Sequence, residues 1–81
     1  MNIEKILTER LHKLQKIREA FEELVDPKAK RFLRGPFQLQ VLEKCDMPQI
    51  GPNKKLVNEV AYQLGYRLIR IRGIRYFKLV H

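Results

Sequence analysis

The stretch Val57-Asn58-Glu59-Val60-Ala61-Tyr62-Gln63-Leu64-Gly65-Tyr66-Arg67-Leu68-Ile69-Arg70-Ile71-Arg72-Gly73-Ile74-Arg75-Tyr76-Phe77 changes its hydrophobic period halfway along. Up to Leu64 the apolar residues keep helical spacing. Leu56, Val57, Val60, Ala61 and Leu64 share one arc, and Lys55, Asn58, Glu59 and Tyr62 share the opposite one. This predicts a helix over 54–64, with Asn53 as its N-cap and Gly65 as the left-handed residue that ends it. From Arg67 onward, basic residues nearly alternate with β-branched and aromatic ones, over 67–72 and again over 74–80. That is the signature of a hairpin turning at Arg72-Gly73. Such a turn sets Arg70 opposite Arg75, a like-charge pair that is unfavourable unless solvent or an anion lies between.

Upstream, Met47-Pro48 and Gly51-Pro52 punctuate a turn. Before it, Phe37, Leu39 and Val41 alternate like a strand, while Val41, Leu42 and Cys45 keep helical spacing; a helix over 37–45 is the favoured reading. Asp26-Pro27 marks a boundary and opens a short basic segment holding Lys28, Lys30, Arg31 and Arg34, which Gly35-Pro36 is expected to end. Residues 3–25 read as one amphipathic helix. Leu7, Leu14 and Phe21 recur every seven residues, Ile3, Ile17 and Leu24 form the neighbouring seam, and Arg10 and Leu11 bridge the gap. Its stripe is expected to pack within the chain. The alternative is pairing with a second copy or a partner through Leu7, Leu14, Ile17 and Phe21.

Eighty-one residues, 44% hydrophobic and 32% charged, describe a single globular domain, 1–81, with an N-terminal helix over 1–26 and a core over 27–81. The net charge of +8 is unevenly spread. Residues 1–26 hold five basic and six acidic residues, whereas residues 27–81 hold twelve basic residues against Glu43, Asp46 and Glu59, a net of +9. A surface that repels itself in this way is expected to meet a polyanion, most often nucleic acid. No uncharged stretch approaches the roughly 20 residues of a membrane span, and none reads as a secretory leader. Membrane association is therefore not expected. The single Cys45 forms no internal disulfide, which fits a reducing, cytoplasmic setting.

Chemistry-bearing constellations are absent from the sequence. There is no glycine-rich phosphate loop, no Ser/His/Asp or Cys/His set, and no metal-ligand spacing among Cys45, His12 and His81. The expectation is a non-catalytic protein with no cofactor and no metal.

Helix, punctuated turn, helix, glycine and basic hairpin follow one another as in the winged helix-turn-helix. Residues 57–66, followed by Arg70-Ile71-Arg72-Gly73-Ile74-Arg75-Tyr76-Phe77, carry this likeness. More narrowly, the stretch resembles the C-terminal winged-helix modules of phage and mobile-element primase-helicases, in which a helix ends at Leu-Gly-Tyr and a basic hairpin closes on paired aromatics. The resemblance implies an α+β fold and DNA binding, double-stranded by preference with single strands open, as an accessory or regulatory factor in replication or transcription. Asn58 and Tyr62 would then face base edges, with Lys54 and Lys55 on phosphates. Arg70, Arg72 and Arg75 would grip the backbone, with Lys28, Lys30, Arg31 and Arg34 adding to the basic surface.

Overall fold

The computed structural model describes residues 3–80; His81, expected at the chain end, lies outside them. Three helices and a three-stranded antiparallel sheet follow in the order α1 (Ile3–Leu24), β1 (Arg31–Leu33), α2 (Arg34–Lys44), α3 (Gly51–Gln63), β2 (Tyr66–Ile71) and β3 (Ile74–Leu79). The strands lie in the order β1-β3-β2. This α+β arrangement is compatible with winged-helix topology, and the expected long N-terminal helix is present. Among the described residues no helix is long and apolar enough to cross a membrane.

The core lies between the helices and one face of the sheet. Ile17, Ala20 and Phe21 enter it from α1, Phe37, Val41 and Leu42 from α2, Val57, Val60 and Ala61 from α3, and Tyr66 and Phe77 from the hairpin. Phe32 of β1 packs against them, paired in register with Phe77. Strand alternation puts Tyr66, Leu68 and Arg70 on the helix-facing side of β2, with Leu79, Phe77 and Arg75 opposite them on β3.

Four local readings change. Gly35-Pro36 does not end a basic segment; it lies in the first turn of α2, where a proline's missing N–H costs nothing because that donor has no partner inside the helix. The residues just before it, Arg31–Leu33, form a strand the sequence did not announce. Asn53 is not the N-cap of α3, a place taken by Ile50. Instead it is buried inside the first turn, and its Nδ2 donates to the Pro48 carbonyl at 2.8 Å, tying the helix to the turn before it. Asp26-Pro27 makes a turn but no helix: the Lys28 N–H donates to Asp26 Oδ1 at 2.9 Å, and the Ala29 N–H to the Asp26 carbonyl at 3.0 Å.

Helix α1 is two things in sequence. Its C-terminal half is core, with Ile17 and Phe21 fully buried and Leu14 half-buried. Ile17 and Phe21 are thus unavailable to a partner, because the domain itself has taken them. Its N-terminal half overhangs, leaving Ile3, Ile6, Leu7 and Leu11 between 48% and 70% exposed. Phe21→Ala should therefore cost about 3–5 kcal/mol and bring a small domain to the edge of unfolding. Leu7→Ala should move stability by less than about 0.5 kcal/mol. Urea unfolding followed by circular dichroism checks both, and equal losses would mean that the overhang is covered in solution.

Candidate nucleic-acid interface

Helix α3 and the hairpin enclose a groove of about 510 Å³, lined by Lys55, Asn58, Glu59, Ala61, Tyr62 and Gln63 on the helix and by Tyr66, Leu68 and Phe77 on the sheet. Lys55 and Tyr62 are exposed here, as the helical period predicts, and Tyr62 keeps 63% of its surface open. Arg67 covers one face of the Tyr62 ring, its guanidinium carbon 3.9 Å from the ring centroid. The same side chain donates from Nη1 to the carbonyls of Tyr62 at 3.3 Å and Tyr66 at 2.9 Å. Arg67 thus caps the end of α3 with Nη1 and steadies the aromatic ring.

Asn58 and Glu59 are only half exposed, and both are engaged. Gln38, buried in α2, donates from Nε2 to Asn58 Oδ1 at 2.5 Å and to the Lys54 carbonyl at 3.5 Å. A bidentate grip on adenine uses the whole amide of an asparagine. Asn58 would have to share or surrender its Gln38 bond to make one, so its first role is to hold α2 and α3 together. The Glu59 carboxylate meets Arg10 of α1 at 2.6 Å. The pair is half exposed and contributes at most about 1 kcal/mol of stability. Its larger effect is to neutralise the acidic residue in the groove.

The hairpin turns where expected. Arg72 and Gly73 both have positive φ, +52° and +82°, the mark of a type I′ turn, and Arg70 faces Arg75 in the predicted register. Gly65, at φ +92°, ends α3 in the left-handed conformation the sequence assigns to it. The alternating faces then divide the basic residues. Arg70 and Arg75 point to the helix side, beyond Leu68 and Phe77, while Arg31, Lys78 and Arg67 form a cross-strand row on the outer side.

The candidate residues do not make one surface. Lys54, Lys55, Asn58 and Tyr62 lie on α3 beside the hairpin that carries Arg70, Arg72 and Arg75, and Arg34 begins α2 next to Arg75. Lys28 and Lys30 are elsewhere, lining a small cavity with Lys78 and Leu79 at the end of the sheet away from the turn. Arg31 sits on the outer face, 5.0 Å over the Tyr76 ring. Gln38, Arg67 and Leu68 were not among the residues singled out. Only the Tyr62-to-Arg67 spacing, a helix end followed by a basic strand start, carried any hint of them.

No group of three or more histidine, cysteine, aspartate or glutamate side chains among the described residues could hold a metal ion. Burial pushes the Cys45 thiol pKa up, and its Sγ donates to the Leu42 carbonyl at 3.6 Å, which makes it a poor nucleophile.

Arg72 is a costly choice for its place. A side chain other than Gly, Asn or Asp in the left-handed region is strained, and Asn-Gly is the preferred pair for this turn. Arg72→Asn should raise stability by roughly 0.5–1 kcal/mol, read as a higher melting temperature. An unchanged or lower melting temperature would show that the arginine makes compensating contacts.

No protein-family model, no curated protein and no solved structure matches this chain.

Proposed function

We propose that the chain is a non-catalytic nucleic-acid-binding protein of the winged helix-turn-helix kind, with double-stranded DNA as its ligand. One observation carries the reading. Of the twelve basic residues in 27–81, only Lys44 has a carboxylate within ion-pair distance among the described residues. The others have no such partner; Lys55 lines the groove between α3 and the hairpin, and Arg70, Arg72 and Arg75 lie on the hairpin beside it. A helix about 10–12 Å across fits the major groove, and a basic hairpin beside it reaches the backbone or the neighbouring minor groove. Lys55 and Tyr62 are the α3 side chains best placed to meet DNA, with Arg70, Arg72 and Arg75 on the wing. An accessory or regulatory role in replication or transcription accords with the resemblance noted above.

A second reading has its own support. The exposed Ile3, Ile6, Leu7 and Leu11 give α1 an apolar ledge outside the core. That ledge suits a subunit that docks a larger replication or polymerase protein and contacts nucleic acid jointly with it.

Duplex binding followed by fluorescence anisotropy should weaken with salt, with a log–log slope of about −0.9 per phosphate contacted, and four to six contacts are expected. Replacing Arg70, Arg72 and Arg75 together by alanine should lower affinity for all sequences alike and flatten that slope. A salt-insensitive response, or none on duplex DNA, single strands or RNA, overturns the reading. Retention only together with a second protein would favour the docking subunit.

A further inference from the structure

Arg70 and Arg75 are cross-strand partners one step from a two-residue turn. The pair flanking such a turn, Ile71 and Ile74, is the hydrogen-bonded kind, so the arginines form the next, non-hydrogen-bonded pair, in which side chains stand closer. A third arginine extends the row. Leu33 of β1 is registered opposite Tyr76, and the residue after it, Arg34, comes up beside Arg75. Partial burial first, and the charge of Arg75 second, pull the Arg34 pKa below its ordinary value. Among the described residues none of the three has a carboxylate within ion-pair distance.

Three guanidinium groups in a row, two on the hairpin strands and one at the start of α2, are a standing electrostatic cost. Nothing in the packing requires it, since the aromatic core ends one residue pair earlier, at Phe32 and Phe77. Solvent screens part of that cost at the exposed Arg70 and Arg75, and an anion seated between the charges would remove it. Guanidinium is the cation whose planar fork matches phosphate oxygens two at a time.

We propose that Arg34, Arg70 and Arg75 form a clamp for a single phosphate group near the turn of the hairpin. The clamp rests on the polyanion reading but is narrower than it. A diffuse basic surface spreads its contacts, whereas a clamp makes one phosphate count for more than its neighbours. Its place fits the ridge of a duplex: with α3 in one groove, the backbone strand bordering that groove passes the turn end of the hairpin.

The first test needs no nucleic acid. Melting temperatures of the full chain are compared in inorganic phosphate and in chloride at equal ionic strength. Phosphate should raise the melting temperature above the chloride value by linkage to the folded state. Arg34→Met and Arg75→Met should each abolish that difference while raising the melting temperature in low-salt chloride, because they relieve the repulsion. Arg75→Lys, which keeps the charge and loses the fork, should weaken the response. Lys78→Met, an equal loss of charge on the outer face of the sheet, should retain it. A wild-type protein indifferent to phosphate overturns the clamp, as does a loss at Lys78 equal to that at Arg75.

The second test locates the phosphate. In a bound duplex carrying one neutral methylphosphonate at a time, a single position should cost roughly tenfold in affinity and the rest much less. A flat profile overturns the clamp while leaving nucleic-acid binding intact. Vesicles containing phosphatidylglycerol serve as the other source of phosphate. Retention on them that depends on Arg34 and Arg75, with none on duplex, would keep the clamp and remove the nucleic-acid reading.

Discussion

Phe21 is where the rest of the molecule meets. Its ring lies 4.9 Å from Phe37, 5.3 Å from Tyr66, 6.1 Å from Phe77 and 6.3 Å from Phe32, each edge-to-face. Those five rings come one each from α1, α2, β2, β3 and β1, so a single aromatic cluster joins every element except α3, which closes on the core with Val57, Val60 and Ala61. Edge-to-face pairs add about 0.5–1.5 kcal/mol each beyond area burial, and their geometry restricts how neighbouring elements can rotate. The angle at which the hairpin leaves the domain is therefore fixed from inside by Tyr66 and Phe77. The groove beside α3 exists because that angle holds the strands away from the helix's outer arc.

Charge is distributed around this hub with the same economy. Two exposed carboxylates of α1 have local partners: Glu22 meets Arg18 at 3.2 Å, and Glu23 meets Lys44 at 3.0 Å, at the end of α2 where a cation also suits the helix dipole. The Arg10–Glu59 bridge from α1 to α3 uses a cation of the near-neutral helix to cancel an anion in the groove. The hairpin carries Arg67, Arg70, Arg72, Arg75 and Lys78 with no acidic residue among them, so its side stays positive. A field so divided orients the protein as it approaches a polyanion, besides attracting it.

Much of this was legible in the sequence because local chemistry and global fold agree there. The α3 arc, the Gly65 stop and the Arg72-Gly73 turn each follow from residue type alone, and the Arg70–Arg75 register follows from the turn. The unread parts depend on distant residues. β1 is three residues long and is a strand only because Phe32 has Phe77 to pair with; nothing within Arg31–Leu33 shows this. Gly35-Pro36 reads as a stop in isolation but serves equally well inside a first helical turn, and the choice was made by Phe37 and Val41 reaching the core. Asn58 lies on the exposed arc by period, yet Gln38, twenty positions away, claims its carbonyl oxygen. The candidate site suffered the same limit. The sequence supplied the cations, but only the sheet register could separate Lys28, Lys30 and Arg31 from those beside α3.

Where local preference and structure disagree, the disagreements are densest in one region. Elsewhere they are scattered, as with Ile50 at the N-cap of α3 and the exposed apolar residues of α1, while Asp46, at φ +57°, is among the residues that tolerate a left-handed backbone, and no buried side-chain nitrogen or oxygen among the described residues lacks a partner. At the hairpin three rules are broken within a few residues, by an arginine in a left-handed turn position, an arginine pair across the strands and a partly buried arginine beside that pair. Each costs stability, and the simple remedies, asparagine at Arg72 or a carboxylate opposite Arg70, would leave the fold unchanged. A small domain has little stability to give away. Several local conflicts within a few residues are the pattern expected where a ligand completes the arrangement, so the turn end of the hairpin, with Arg34 beside it, is the part of this protein whose residue choices folding explains least.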